Sequence, residues 1–450
     1  LREMKVLILL ALSLFPLVRG SEESNDPEAF VGRTGVPSEQ TERLIRDRRA
    51  VIDGQAKLWN KNEPIYYGYA DETAAEFTPS RRALITARLA EISKATCLKI
   101  EEKADGFRGV LFERTPTGPC TSGGGWPGPN ETQTISLTDG CDYDGIQHEF
   151  FHNLGLGHTQ QRDDRDDYIT IRPNTCGDLC FIKYNSSRSV HLSPPVGYDF
   201  KSIMHYGAWN FRITDAPVII PKDIHYIAST GWSVNPVFSD YKQVNMLYKC
   251  GDHCADYSSL KCENGGYHHP KDCGKCVCHD FAFGDRCEKL RMQKMKEDYR
   301  DPPYFEDVYN DETSIYPNST IRSDYVQIQP MAFMAPAGRQ LLVTIKELDL
   351  PQGVMTNDEY CVSKCGLNAF EFIENIHGDL TMGGKMFCCG NRKGESFRTK
   401  SNILGYTGHF KKGYKGRIVF RVEVYDKRSN ATHPQAPEPV WAFPDGHIFQ

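Results

Sequence analysis

Three histidines within residues 148–158 are spaced so that they could bind one metal ion. His148 and His152 are four residues apart, so on a helix they project from the same face. Gly155 can adopt a positive φ, which would end the helix and turn the chain so that His158 reaches back toward the pair. Three protein ligands with an open fourth position are typical of a catalytic zinc site.

Two further segments could take part in chemistry at such a zinc ion. Glu149 directly follows the first histidine, where it could take a proton from zinc-bound water. In residues 202–206 (SIMHY), Met204 could form an apolar floor beneath the metal and Tyr206 could stabilise an oxyanion on the substrate. The alternative is a core helix with buried histidines, but the five fixed residues of the first motif rarely coincide by chance.

A helix under the first two histidines and a lobe of short strands must position these residues. Thr78 and Pro79 predict the start of a second helix. Its buried face is predicted from apolar residues at helical spacing, namely Ile85, Leu89 and Ile92. Residues 109–114 and 134–137 predict strands.

Length and composition predict a multidomain protein in an oxidising environment. At 450 residues the chain is too long for one core, and two or three folded units are expected. Its 16 cysteines predict a disulfide framework. The net charge of −6 is small and no long basic cluster occurs, which argues against a nucleic-acid partner.

The first part of the chain has the features of targeting and processing segments. Residues 1–20 place an apolar run after Met4-Lys5 and predict a signal peptide, hence a secreted, extracellular protein. No later apolar run is long enough for a membrane anchor. Residues 21–49 predict a propeptide and end in RDRR, which resembles a furin-type cleavage site; a solvated basic patch is the alternative. Four glycosylation sequons fit a secreted glycoprotein: Asn130, Asn185, Asn318 and Asn430.

Residues 148–168 and the SIMHY segment together resemble the astacins, a family of zinc metalloendopeptidases among the metzincins. The similarity extends over residues 50–250. It implies an α+β catalytic domain whose two lobes flank a zinc cleft, with an edge strand of the N-terminal lobe that pairs with extended substrate.

The astacin resemblance also implies a role for each site residue. One Zn²⁺ per chain would be bound by His148, His152 and His158. Glu149 would be the general base, and Tyr206 would be a switchable ligand that stabilises the oxyanion.

Two residues depart from the astacin pattern. Thr159 follows the third histidine, where astacins usually carry a glutamate tied to the new N-terminus of the mature enzyme. Arg33 stands where the propeptide usually supplies a zinc-binding aspartate, and a guanidinium has no lone pair for a metal. Both departures concern activation, and the zinc chemistry itself is expected to be intact.

Cysteine positions predict disulfides in the catalytic domain. The family resemblance implies the bonds Cys97–Cys250 and Cys120–Cys141. The two cysteines of the insertion CGDLC at residues 176–180 could bridge locally, and a metal site there lacks nearby ligands.

The rest of the chain predicts two further modules. Residues 251–288 carry six cysteines whose spacing resembles an EGF-like module, which implies the pairs 254–273, 262–276 and 278–287. Residues 289–325 are charged and proline-rich and predict a linker. Residues 326–427 predict a β-sandwich that resembles a CUB-like domain, with the connectivity of its four cysteines open. Residues 428–450 predict a C-terminal tail.

Together these features predict a secreted zinc metalloendopeptidase that cleaves extracellular proteins or peptides. The module order resembles the nematode-type astacins, in which the EGF-like and CUB-like modules would contact substrate or matrix. One alternative is a metzincin of the adamalysin or matrix-metalloprotease type, against which Tyr206 argues. The other is an inactive relative that acts as an adhesion protein, for which Thr159 is the visible defect.

Overall fold

A computed structural model describes most of residues 58–292 and the strands of the C-terminal region. The described ranges are 58–71, 73–104, 106, 108–141, 143–177, 180, 196–232, 235–254, 259–292, 304–309, 325–327, 330–349, 369–374, 380–388, 394–411, 416–425, 441–442 and 448–449. The predicted signal peptide and propeptide lie outside these ranges, as do Asn185, Asn318, Asn430, Cys361, Cys365 and Cys389. Among the described residues, no helix has the length and apolar character needed to cross a membrane.

The N-terminal lobe is built on a five-stranded sheet. Its strands are β1 (Ile65–Tyr69), β2 (Ile100–Glu102), β3 (Gly109–Arg114), β4 (Thr121–Ser122) and β5 (Gln133–Leu137). They lie in the order β2-β1-β3-β5-β4, and all neighbours are parallel except β4, which runs antiparallel to β5 at the edge. Both strands predicted for this lobe are therefore confirmed.

Helix α1 (Pro79–Ala95) packs within this lobe as the sequence predicts. Thr78 Oγ1 accepts a hydrogen bond from Arg81 N at 3.2 Å, and Pro79 occupies the first turn, where no partner for its nitrogen is needed. The predicted face is buried in one core with the sheet, through Ile85, Leu89 and Ile92.

The same core continues into the second lobe through helix α2 (Tyr143–Asn153). Phe150 and Phe151 of α2 are fully buried in it, together with Met204. The second lobe has little regular structure: β6 (Ile169–Ile171), β7 (Ile219–Pro221) and helix α3 (Phe238–Leu247).

Disulfides tie these segments together and confirm the predicted pairs. The bonds of the catalytic domain are Cys97–Cys250, Cys120–Cys141 and the local bridge Cys176–Cys180. Those of the following module are Cys254–Cys273, Cys262–Cys276 and Cys278–Cys287. The module itself contains two short hairpins, of β8 (Tyr267–His268) with β9 (Cys276–Val277) and of β10 (Ala282–Phe283) with β11 (Lys289–Leu290).

Two antiparallel sheets form the C-terminal region. Their strands are β12 (Tyr304–Tyr309), β13 (Tyr325–Gln327), β14 (Met331–Met334), β15 (Gln340–Asp349), β16 (Ala369–Glu374), β17 (Lys385–Phe387), β18 (Ser396–Arg398), β19 (Ile403–Lys411) and β20 (Gly416–Tyr425). One sheet has the order β12-β20-β15-β18 and the other β13-β19-β16-β17, with β14 also paired to β19. Apolar side chains of both sheets share one core, in which the rings of Phe372 and Phe420 are 5.0 Å apart.

The structure differs from the sequence prediction at two places in this region. Strand β12 lies within the segment predicted as a linker and pairs with β20 at the edge of the sandwich. Its sequence, YFEDVY, is rich in residues that favour strands, and the neighbouring prolines obscured it. In the predicted tail, β21 (Trp441–Ala442) pairs with β22 (Ile448–Phe449).

Candidate metal centre

Helix α2 carries two of the predicted ligands and ends in a way that can bring in the third. His148 and His152 lie one turn apart on it. Beyond the helix, Gly155 N donates to His152 O at 2.8 Å and Leu156 N donates to Phe151 O at 3.0 Å, which is a Schellman motif. Gly155 has φ 95°, the left-handed conformation that this motif requires and that glycine adopts without strain.

The three imidazoles meet at one point. His152 Nε2 is 3.1 Å from His148 Nε2 and 3.2 Å from His158 Nε2. In a tetrahedral site with Zn–N bonds of about 2.0–2.1 Å, neighbouring ligand nitrogens lie about 3.3 Å apart, so the spacing fits zinc. All three residues are buried, and together they form a group that could hold a metal ion.

Backbone carbonyls determine which ring nitrogen faces this point. His148 Nδ1 donates to Ile203 O at 2.7 Å, and His152 Nδ1 donates to Leu156 O at 2.8 Å. A ring nitrogen that donates to a carbonyl carries the proton, so Nε2 keeps the lone pair that a metal needs. His148 and His152 are therefore arranged as neutral ligands that use Nε2.

The predicted general base lies on the same helix. Glu149 has an exposed fraction of 0% and is followed in α2 by the fully buried Phe150 and Phe151. The assignment of Glu149 as base stays a prediction.

The SIMHY segment, residues 202–206, contacts the histidines from the other side and is called the methionine turn below. Its Ile203 carbonyl holds the first histidine, and the carbonyl of Met204 accepts from Thr159 N at 2.8 Å. The ring centroid of Tyr206 is 4.3 Å from that of His158. The structure thus brings Tyr206 next to His158, while its catalytic role stays a prediction.

Thr159, which departs from the family pattern, is buried beside the third histidine with an exposed fraction of 3%. Its hydrogen bond to the methionine turn uses the backbone N–H. This contact does not require a glutamate at the position, so the turn is held in spite of the substitution.

Asp240, which sequence reasoning missed, anchors the methionine turn from helix α3. Its Oδ1 accepts from Ser202 Oγ at 2.6 Å, and its Oδ2 accepts from Ile203 N at 3.1 Å and Val237 N at 2.9 Å. Burial raises the pKa of Asp240 to about 7 in spite of these three donors, and the nearby Asp199 adds to the increase. No motif marks an aspartate so far along the chain.

Two other residues that sequence reasoning missed hold Tyr206. Gln160 Oε1 accepts from Tyr206 N at 3.0 Å. Gly231 has φ 69°, and an added Cβ would collide with the backbone of Gly207. Only glycine therefore fits at position 231, next to the residue that follows Tyr206. The one feature of the sequence that could have indicated Gln160 is its position two residues after His158.

His205 within the methionine turn is a buried, neutral histidine. The hydroxyl of Tyr198 donates to its Nε2 at 2.7 Å, and its Nδ1 donates to Tyr206 O at 2.7 Å. Burial lowers the pKa of His205 to about 4. Its role is therefore structural.

A second group of potential ligands occurs among the described residues, formed by His253, Cys254 and Cys273. The two cysteines are joined in a disulfide and offer no thiolate. This group is therefore not a metal site.

Comparison with known proteins identifies the family. Residues 51–249 match the model of the Astacin peptidase family. Zinc metalloproteinase nas-32 of Caenorhabditis elegans is 30% identical over 370 residues, which are 79% of this chain and 50% of that protein. Zinc metalloproteinase nas-27 of the same organism is 28% identical over 362 residues, 76% of this chain and 78% of that protein. The chain thus spans about half the length of nas-32.

A solved structure is also similar. High choriolytic enzyme 1, a hatching enzyme zinc-protease from Oryzias latipes (medaka fish), has 24% identity and a TM-score of 0.34 over 44% of this chain and 91% of that chain. A score this low supports no argument, and the family assignment depends on the family model and the curated relatives. The predicted family is confirmed, and zinc, the metal of this family, fits the three-histidine site. Residues 51–249 of this chain form a domain of the astacin family of zinc metallopeptidases.

Proposed function

We propose that this protein is a secreted zinc metalloendopeptidase that hydrolyses peptide bonds in extracellular proteins. The observation that carries the proposal is the convergence of three buried Nε2 atoms in an astacin-family domain, with His152 Nε2 at 3.1 Å from His148 Nε2 and 3.2 Å from His158 Nε2. The proposed ligands are His148, His152 and His158, with one Zn²⁺ per chain.

The proposed reaction is hydrolysis by an activated water molecule. When bound, zinc acts as a Lewis acid on the water and on the scissile carbonyl. Glu149 accepts a proton from the attacking water and passes it to the leaving amine. Tyr206 donates a hydrogen bond from its phenol to the oxyanion. Support for this last role comes from the bond between Tyr206 N and Gln160, because an oxyanion donor is effective when its position is fixed in advance.

The edge of the N-terminal sheet is the proposed substrate platform. Strand β4 is the outermost strand, and Asn153 Nδ2 donates to Ser122 Oγ at 3.2 Å. In addition, Gly125 N donates to His152 O at 3.0 Å, which connects this edge to the ligand-bearing helix. An extended peptide that pairs with the edge would lie across the three histidines, and main-chain pairing accepts many sequences.

Secretion, activation and the accessory modules complete the proposal. The six described disulfides support an oxidising compartment. Residues 1–20 act as a signal peptide, and residues 21–49 as a propeptide that is released after Arg49. Residues 251–288 are an EGF-like module and the sandwich a CUB-like domain, which contact substrate or matrix proteins. With Arg33 and Thr159 in place of the usual acidic residues, activation differs from the family pattern.

Cleavage of an unstructured protein tests the proposal. The secreted chain, both full-length and starting at Ala50, is assayed with its zinc content beside Glu149→Ala and Tyr206→Phe. We expect one zinc in every form, a loss of at least about 100-fold in kcat for Glu149→Ala, and a loss of about 100-fold for Tyr206→Phe. Zinc-loaded wild-type protein that cleaves nothing would contradict the proposal and favour a binding protein.

A further inference from the structure

The C-terminal sandwich packs directly on the second lobe of the catalytic domain. Ala228 and Trp232 of that lobe share an apolar cluster with Ala369 and Met386 of the sandwich. The apolar contact is small, and charged groups are buried around it.

The central charged contact joins Lys201 of the catalytic domain to Glu371 of β16. Lys201 Nζ lies 2.7 Å from Glu371 Oε2, and both side chains are almost completely buried. The same carboxylate oxygen is 2.5 Å from His409 Nε2, and Glu371 Oε1 accepts from Gly384 N at 2.7 Å. Burial alone would raise the pKa of Glu371, but Lys201 and His409 hold it well below its usual range, so the carboxylate is charged.

A second contact fixes the backbone around Lys201. Asp199 Oδ1 accepts from Gly383 N of the sandwich and from Lys201 N, both at 2.9 Å. The stem of Lys201 lies against Gly383 so closely that an added Cβ there would collide with it. The ammonium group lies 4.4 Å from the centre of the Trp232 ring. The position of Lys201 is therefore set by contacts with the sandwich and with Asp199 and Trp232 of its own lobe.

Lys201 leads directly into the methionine turn. The next residue, Ser202, donates to Asp240, and Ile203 O accepts from Nδ1 of His148 at 2.7 Å. The carboxylate of Glu371 is thus connected to a proposed metal ligand through one ion pair, the backbone from Lys201 to the carbonyl of Ile203, and one hydrogen bond.

A second ion pair joins the same two parts at a point that is farther along the chain from the methionine turn. Lys385 of β17 lies 2.8 Å from Asp223 Oδ2 and 2.7 Å from Glu374 Oε1. Asp223 caps the short helical turn Ile224–Tyr226, which reaches the methionine turn through ring packing, with Tyr226 on Phe200 at 4.6 Å and Phe200 on His205 at 6.1 Å. Lys385 is therefore a comparison for Lys201, because Lys201 is joined to the turn through the backbone and Lys385 only through side-chain packing.

We propose that Glu371 is a positioning residue for the three-histidine centre and that the C-terminal sandwich is an integral part of the peptidase. The inference rests on the proposed metal centre. Removal of one partner from a buried ion pair leaves the other charge unpaired, so Lys201 shifts and the turn that orients His148 moves with it. Groups that orient a metal ligand through a hydrogen bond typically change metal affinity by about 10–100-fold.

Zinc affinity of the full secreted chain tests this inference, measured by competition with a chelator of known affinity. We expect Glu371→Gln to bind zinc at least about 10-fold more weakly than wild type. Lys385→Met, the matched control, should lower the melting temperature but keep zinc affinity within about two-fold. In metal-free protein, the amide of Ile203 should exchange with solvent faster in Glu371→Gln than in Lys385→Met.

Each result bears on a separate claim. Wild-type affinity in a folded Glu371→Gln protein, or an equal loss in both variants, would overturn the positioning role. If Glu371→Gln does not fold, Gly383→Ala takes its place, because it displaces the stem of Lys201 and leaves every charge in position. Unchanged zinc affinity in Gly383→Ala would also overturn the positioning role. A wild-type chain that binds no zinc would contradict the proposed metal centre itself.

Discussion

Replacement of Asp240 by asparagine is expected to weaken the fall in the free energy of unfolding that accompanies a rise in pH. Burial raises the pKa of Asp240 from 3.8 to about 7 in the folded protein. Between these values the folded state binds a proton that the unfolded chain releases, so stability falls as pH rises through this window. A shift of about 3 units corresponds to at most about 4 kcal/mol of stability lost between pH 4 and 7.

Asparagine can keep the contacts of the aspartate without its charge. Its carbonyl can accept from Ile203 N and Val237 N, and its amide can donate to Ser202 Oγ. Near pH 4 the variant should therefore be within about 1 kcal/mol of wild type. As the pH rises to 8, the difference in the free energy of unfolding between Asp240→Asn and wild type should shift in favour of the variant by up to about 4 kcal/mol.

Urea unfolding of metal-free protein between pH 4 and 8 measures this difference. Metal is removed so that proton competition at the three histidines does not contribute. Asp240→Ala is the control: it leaves both backbone N–H groups without an acceptor and should lose at least about 2 kcal/mol at every pH. A stability difference between wild type and Asp240→Asn that does not change with pH would refute the reasoning.

Two more predictions concern stability. If disulfides act through chain entropy, removal of the Cys97–Cys250 bond, which spans 153 residues, should lower the free energy of unfolding by about 5 kcal/mol. Removal of Cys176–Cys180, which spans 4 residues, should lower it by about 2 kcal/mol. Denaturant titration of the paired serine variants measures both losses, and equal losses would contradict the prediction. Burial lowers the pKa of His205 from 6.5 to about 4, so the unfolded chain binds a proton that the folded state does not, and stability is lost as pH falls through this window. His205→Asn should remove up to about 3 kcal/mol of that acid sensitivity in unfolding measured from pH 4 to 7, and an unchanged slope would count against it.

Local patterns explain why much of the fold and site could be predicted. Helix α1 is marked by Thr78, Pro79 and an apolar face at helical spacing, all within one short segment. The turn at Gly155 follows from a conformation that favours glycine, and it brings the third histidine to the first two. Signals of this kind need no knowledge of the rest of the chain.

Long-range contacts explain what could not be predicted. Asp240 is 38 residues from Ser202, and Glu371 is 170 residues from Lys201. No periodicity or motif links such residues, because their pairing depends on how whole lobes pack. Strand β12 was missed because neighbouring prolines obscured its local signal, and its pairing with the distant β20 could not be predicted from the sequence.

X-ray absorption at the zinc edge of the metal-loaded chain tests the three-histidine centre most directly. We expect one zinc whose first shell contains three imidazole nitrogens at about 2.0–2.1 Å and no sulfur. We also expect His152→Ala to lose this spectrum, because one of the three proposed ligands is then missing. A first shell with sulfur at about 2.3 Å, or a wild-type spectrum in His152→Ala, would contradict the three-histidine centre.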